Sequence, residues 1–191
     1  MKGAVTGAIT GVYGGSFNPP HLAHLLALSI VLARFDVARI LVVPTYRHPF
    51  AKALAPYNDR VRMCELAMGW LPRVEVSRVE QELGTESRTL RTIEHLHELH
   101  PNWNLRFVMG ADLMVESDKW YGFDRIAELA PPIVLGRVGV TYNGAPLAML
   151  PAISSTEVRA MIAAGRWNEV DGVVAREVVA FVRANKLYAS P

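Results

Sequence analysis

Short apolar runs rich in Val and Ile alternate along this chain with longer amphipathic stretches. The runs are Ile9-Thr10-Gly11-Val12-Tyr13, Ile40-Leu41-Val42-Val43, Val74-Glu75-Val76, Leu105-Arg106-Phe107-Val108-Met109 and Ile133-Val134-Leu135. Between and after them the pattern predicts helices over about 22–34, 58–70, 88–99, 121–129, 155–164 and 172–184. Strand, helix, strand repeated in this way is the pattern of a parallel sheet covered on both faces. The expected class is therefore α/β: a Rossmann-like, doubly wound sheet of five parallel strands in a single domain over 1–191, with a C-terminal helical subregion at about 154–188.

Two local signals refine this outline. Thr141-Tyr142-Asn143-Gly144-Ala145 contains an Asn-Gly pair, which favours the positive-φ turn of a tight hairpin. A small antiparallel excursion is expected after the last parallel strand. Ser154-Ser155-Thr156-Glu157 has the spacing of a capping box, and Gly165 stands where that helix should stop. The segment after Ile153 should then be a helix N-terminus with free N–H groups pointing outward.

Composition narrows the function classes. A chain of 191 residues fits one domain, able to bury roughly 70% of the surface its unfolded form exposes. Lys plus Arg number 20 and Asp plus Glu 18, a balance of +2 spread along the sequence. Nucleic-acid or membrane binding by a dense one-signed patch is not suggested. A lone Cys64 supplies neither an intramolecular disulfide nor a thiolate zinc site. Met1 to Thr10 lacks a sustained apolar core, and Leu25 to Ala33 is about half the length that crosses a bilayer. The simplest expected location is the cytoplasm.

In open α/β sheets, ligands sit beyond the carboxyl ends of the strands, where the strand order reverses. The first strand here ends in Gly14-Gly15-Ser16-Phe17-Asn18-Pro19-Pro20-His21-Leu22-Ala23-His24. The glycines permit close backbone approach, and the prolines suit a loop entering a helix. His21 and His24 are three apart, on one helical face, beside the positive helix terminus. Together these read as an anion pocket. Taken alone, Gly-Gly after a strand is also an ordinary turn. A His-x-x-His pair can ligate a metal, but no third ligand with recognisable spacing accompanies it, so no metal site is expected. Neither G-x-x-x-x-G-K-[ST] nor G-x-G-x-x-G follows the first strand, and phosphate must be held by another device.

The Gly14 to His24 segment resembles the signature loop of the nucleotidyltransferase superfamily with the paired-histidine motif. Ile153-Ser154-Ser155-Thr156-Glu157-Val158-Arg159 is similar to that superfamily's second signature, and the two lie about 130 residues apart in the expected order. Gly110-Ala111-Asp112, Trp120 and the ending Val178-Val179-Ala180-Phe181-Val182 to Leu187-Tyr188 resemble nicotinate-nucleotide adenylyltransferases. The resemblance implies transfer of an adenylyl group from ATP to nicotinate mononucleotide, releasing pyrophosphate, in NAD synthesis. The acceptor phosphate is already an anion, so the implied catalysis is alignment and charge stabilisation.

By the same resemblance, His21, His24, Lys52 and Arg159 act on the phosphates, with His24 nearest the α-phosphoryl group. Gly14, Gly15 and the amides of Ser16 and Phe17 contact phosphate, as do Ile153, Ser154, Ser155 and Thr156. Gly110 and Asp112 face ATP, the latter through ribose hydroxyls; Asp112 also reads simply as a helix cap. Asn18, His48, Thr89, Trp120 and Arg137 are assigned to the acceptor, although Trp120 is equally readable as a core residue and Arg137 as a surface charge. Mg2+ is implied, held mainly by phosphate oxygens and water. The implied partners are small nucleotides; self-association into a homo-oligomer is left open.

The chain also departs from the family pattern. Ala23 replaces a glycine, His48 lies four residues before Lys52 where a Pro-Pro-His is usual, and Arg88 and Arg91 stand where Tyr and Asp are typical, with Thr89 retained. Arg88 reads either as favouring an acidic acceptor or as a solvated helix charge. Other readings are the same transfer to nicotinamide mononucleotide, phosphopantetheine or a sugar or polyol phosphate, a non-catalytic nucleotide sensor, or a metal-binding structural protein. Calorimetric ATP binding without pyrophosphate release would favour the sensor.

Overall fold

The computed structural model describes residues 8–48, 54–140, 142–143 and 148–189. In chain order it runs β1 (Ile9–Gly15), α1 (Leu22–Arg34), β2 (Val37–Pro44), α2 (Tyr57–Met68), β3 (Val74–Val76), α3 (Val79–Leu83), α4 (Thr89–Leu99) and β4 (Asn104–Gly110). There follow α5 (Ala111–Val115), a 3-10 turn at Ser117–Lys119, α6 (Phe123–Leu129), β5 (Ile133–Arg137), β6 (Ala148–Leu150), α7 (Ser155–Ala163), α8 (Trp167–Asp171) and α9 (Arg176–Ala184). The strands form one parallel sheet in the order β3-β2-β1-β4-β5-β6.

Alternation along the strands explains why helices cover both faces. In β2, Val42 faces one apolar cluster, with Leu28 and Val31 of α1, Met63 and Cys64 of α2, and Val178 and Val182 of α9. Its neighbours Leu41 and Val43 face the other, with Ile93 and Leu96 of α4 and Ile126 of α6. Successive strand side chains point to opposite faces, so an unbroken apolar run needs cover on both. None of the helices, among the described residues, is long and apolar enough to cross a membrane.

Two expectations are corrected in detail. The sheet has six strands rather than five, because Ala148–Leu150 extends the β5 edge, pairing Gly136 with Ala148 and Arg137 with Leu150. That strand runs parallel to β5; the small hairpin expected around Asn143-Gly144 falls mostly outside the described residues. The helix expected at 172–184 begins only at Arg176, and α8 precedes it. The break has a physical reason: the Val173 carbonyl accepts the Leu22 amide N–H of α1 at 2.9 Å. Helices α3 and α5 are each five residues long, too short to leave a periodic trace. By contrast, α7 starts and stops at the expected residues. Ser154 accepts from the Glu157 amide while Glu157 accepts from Ser154, and Gly165 follows the helix with φ +68°.

Candidate active site

The strand order reverses between β1 and β4, which leave the sheet in opposite directions through their following helices. The loop after β1 and the Gly110 end of β4 therefore flank a crevice, and β5 ends beside it at Arg137.

The loop after β1 is braced from several sides. Gly15 lies directly against the Phe17 ring: a Cβ there would meet Phe17 Cζ at 3.0 Å. Phe17, at φ +45°, is buried and packs edge-on against Tyr13 and His24, with ring centroids 5.7 and 5.0 Å away. The Gly15 carbonyl accepts the Thr45 amide at 2.9 Å, and the Ser16 carbonyl accepts Arg60 Nη1 at 3.0 Å. In a trans peptide the N–H points opposite to the C=O, so the Ser16 and Phe17 amides face away from β2 and α2. Neither donates a hydrogen bond to another described residue. Two free donors on adjacent peptides suit an anion.

His21 caps α1 and stacks on His24, their centroids 3.8 Å apart. The His21 amide donates to His24 Nδ1 at 3.1 Å, so Nδ1 is unprotonated and a neutral His24 carries its proton on Nε2. Burial, then the neighbouring His21 and Arg137, hold His24 well below the usual imidazole range. Burial, reinforced by Arg137, lowers His21 to about 4. His21 Nδ1 is buried without a partner among the described residues. Near neutral pH the pair is thus held in the neutral form and offers N–H donors rather than two cations; an arriving phosphate would raise both affinities for a proton.

Helix α7 meets this loop. Ser155 Oγ donates to the Pro19 carbonyl at 2.8 Å, and Arg159 Nη1 to the Asn18 carbonyl at 2.9 Å, with Nη2 3.3 Å from Thr156 Oγ1. The capping box uses the Ser154 and Glu157 amides, leaving those of Ser155 and Thr156 as the helix end's outward donors. Across the crevice, Arg137 Nη1 pairs with Asp112 Oδ2 at 3.0 Å while Nη2 donates to the Ile153 carbonyl. Arg137 therefore joins β5, the end of β4 and the α7 cap.

Asn18, expected to face the acceptor, turns its side chain inward. It is 1% exposed; Oδ1 accepts from the Ala55 amide at 3.0 Å and from the Tyr188 hydroxyl at 2.9 Å, and Nδ2 has no partner among the described residues. Both Oδ1 contacts tie together segments far apart in the chain. Trp120 is half-buried against Phe107 and Phe123, meeting both rings edge-on at 5.8 and 6.2 Å. Thr89 opens α4, whose N-cap is Arg88; Arg88 pairs with Glu86 at 2.8 Å and lies 5.6 Å from the Tyr121 ring. His48 is half-buried after β2. Lys52 lies outside the described residues.

Sequence reasoning missed Arg60, Tyr188 and Glu80. Arg60 is 1% exposed and bonds Ala55 and Ser16 carbonyls. A trace of it was present: Arg60 shares the helical phase of buried Cys64, Ala67 and Met68. Glu80 accepts from the Tyr46 amide at 2.9 Å and from Thr92 Oγ1 at 3.2 Å, bracing the loop after β2; burial raises its carboxyl above the ordinary range.

A parallel sheet with two helix ends and paired imidazoles at its switch point defines a nucleotidyltransferase class of site, and the chain belongs to the cytidylyltransferase-like family, whose model matches residues 12–161. Within it the relatives are nicotinate-nucleotide adenylyltransferases. The chain is 48% identical over 179 residues to a protein of Anaeromyxobacter dehalogenans strain 2CP-C named "probable nicotinate-nucleotide adenylyltransferase", covering 92% of this chain and 94% of the relative. A Myxococcus xanthus protein of the same name is 35% identical, covering 98% and 97%. The nicotinic acid mononucleotide adenylyltransferase of Plasmodium falciparum, solved in complex with NaAD, superposes with a TM-score of 0.82 over 95% of this chain and 98% of that one. At 19% identity, that likeness is one of fold.

Proposed function

We propose that this protein transfers the adenylyl group of ATP to nicotinate mononucleotide, forming nicotinate adenine dinucleotide and pyrophosphate in NAD biosynthesis. The observation that carries the reading is the convergence of the loop after β1, the histidine pair and the α7 N-terminus, tied directly through Ser155 to Pro19 and Arg159 to Asn18. Such a crevice holds two phosphorylated molecules end to end.

The chemistry follows from the donors present. The acceptor phosphate is a dianion near neutral pH and needs no base to attack the α-phosphorus of ATP. The Ser16 and Phe17 amides would hold it, while His24 would donate through Nε2–H as charge grows on the α-phosphoryl oxygens. The Ser155 and Thr156 amides at the α7 end would hold the departing pyrophosphate. Lys52 would add a cation to the phosphates. Asp112 and Gly110 flank the nucleoside of ATP; His48, Thr89 and Trp120 are the surfaces offered to the acceptor. Among the described residues no group of three His, Cys, Asp or Glu side chains could cage a metal, so Mg2+ would arrive on the triphosphate. A cytoplasmic location suits this reaction.

Pyrophosphate release measured with ATP and a panel of acceptors tests the reading. Release with nicotinate mononucleotide should exceed that with the amide form and with phosphopantetheine. Preference for either of the others reassigns the acceptor, and ATP binding with no release for any of them makes the protein a sensor.

A further inference from the structure

Arg60 is among the largest fully buried side chains of the protein, at 1% exposure. Its guanidinium bonds main-chain carbonyls rather than a carboxylate: Nε donates to Ala55 at 2.9 Å and Nη1 to Ser16 at 3.0 Å. The Tyr57 ring lies 5.6 Å from it. Burying a cation that no carboxylate hydrogen-bonds is costly even with Glu80 near enough to offset part of the cost, and an apolar residue at this phase of α2 would pack without it. The arrangement therefore calls for a reason beyond packing.

The Ser16 carbonyl supplies one. It shares a planar trans peptide with the Phe17 amide, so holding the oxygen toward α2 fixes the N–H in the opposite direction, away from α2. Phe17 stands at φ +45°, a conformation that a non-glycine residue adopts only when its surroundings impose it. The fork also reaches Ala55, whose amide is held by Asn18 Oδ1 at 3.0 Å. One guanidinium thus locks the loop after β1 to the segment that opens α2. We propose that Arg60 is a positioning residue for adenylyl transfer: by holding the Ser16 carbonyl from beneath, it aims the Phe17 amide at the acceptor phosphate. The inference rests on the adenylyl-transfer reading and adds to it the element that orients the phosphate donors.

Two variants separate aim from charge. Arg60→Lys keeps the charge and most of the volume, but a compact ammonium cannot fork to two fixed carbonyls; Arg60→Gln removes the charge as well. In steady-state assays with ATP and nicotinate mononucleotide, kcat per folded molecule of Arg60→Lys should fall about 100-fold, with KM for ATP within about threefold of the parent. Arg60→Gln should fall at least as far; if it does not fold, Arg60→Lys decides the matter. A merely structural role would lower the melting temperature while leaving kcat per folded molecule and KM unchanged, and that result overturns the proposal. A second readout is independent of turnover. Titrating the 15N-labelled parent with inorganic phosphate should shift the Phe17 amide resonance, and Arg60→Lys should need roughly tenfold more phosphate for the same shift. Equal responses in the two proteins overturn the role of Arg60. If the Arg60-dependent response is present but nicotinate mononucleotide is not adenylylated, the acceptor assignment fails and the role of Arg60 stands.

Discussion

The groups proposed to hold phosphate are tied by bonds that span 136 to 170 positions, whereas those proposed to face the acceptor base rest on contacts of shorter span, such as the 41 positions from the Tyr46 amide to Ser87. Ser155 reaches Pro19 across 136 positions, Arg159 reaches Asn18 across 141, and Tyr188 reaches Asn18 across 170. Arg88, by contrast, pairs with Glu86 two residues away, at a half-exposed surface, and Trp120 meets the rings of Phe107 and Phe123 edge-on. Phosphoryl transfer needs several donors aligned on one reacting group, and alignment within a fraction of an ångström requires supports from separate elements. Choice of a base needs a platform and one or two polar contacts, which a loop and a helix start can supply.

Substitutions at the two ends should differ in size and kind. The largest effect is expected for His24→Ala, which removes a donor aimed at charge that develops in the transition state: turnover should fall on the order of 10²–10³, read by steady-state kinetics. An unchanged turnover number would remove His24 from the mechanism. Next in size is a pH effect on stability at the same end. His21 titrates at about 4 in the folded protein against 6.5 for the free side chain, so the unfolded chain takes up a proton first as the pH falls. Stability from this group is complete above about 6.5, is lost as the pH drops toward 4, and amounts to about 3 kcal/mol. Denaturant unfolding across that window should show the loss, and His21→Gln should flatten it.

Asn18→Ala leaves the Ala55 amide and the Tyr188 hydroxyl without their shared acceptor, and unfolding free energy should fall by about 2–3 kcal/mol. A change below 0.5 kcal/mol would mean that the long-range bracing is not what distinguishes this end. At the other end, Trp120→Ala should raise KM for the acceptor about tenfold or more if the ring stacks on the base, with KM for ATP little changed; equal rises in both would place Trp120 in the core alone. The smallest effect is expected for Arg88→Ala, an about threefold change in the ratio of kcat/KM between the acid and amide acceptors, since an exposed ion pair contributes little.

The legible parts of the site share a property. The Gly14 to His24 loop, the Ser154 to Glu157 cap and Gly165 each express a backbone requirement within a few consecutive residues, so residue type and spacing announce them. The six-strand sheet was legible to within its last strand, because unbroken apolar runs predict strands buried on both faces. Ala148–Leu150 escaped notice because Ala-Met-Leu holds no β-branched residue, whereas the equally short Val74–Val76 holds two. The inward turn of Asn18 was not legible for another reason: a polar residue in a loop of this kind looks the same whether its side chain faces a ligand or braces the loop.

From the sequence alone came the class of fold, the glycine loop proposed to hold an anion and the capped helix beside it, because these depend on local backbone rules and on the period of apolar residues. The tertiary structure decided that Asn18 looks inward, that the two histidines are neutral donors, that Arg137 is bound to Asp112, and that a buried Arg60 holds the Ser16 carbonyl. Each of these depends on which distant groups share a small, poorly solvated volume, and on the proton affinities and hydrogen-bond partners that such a volume dictates.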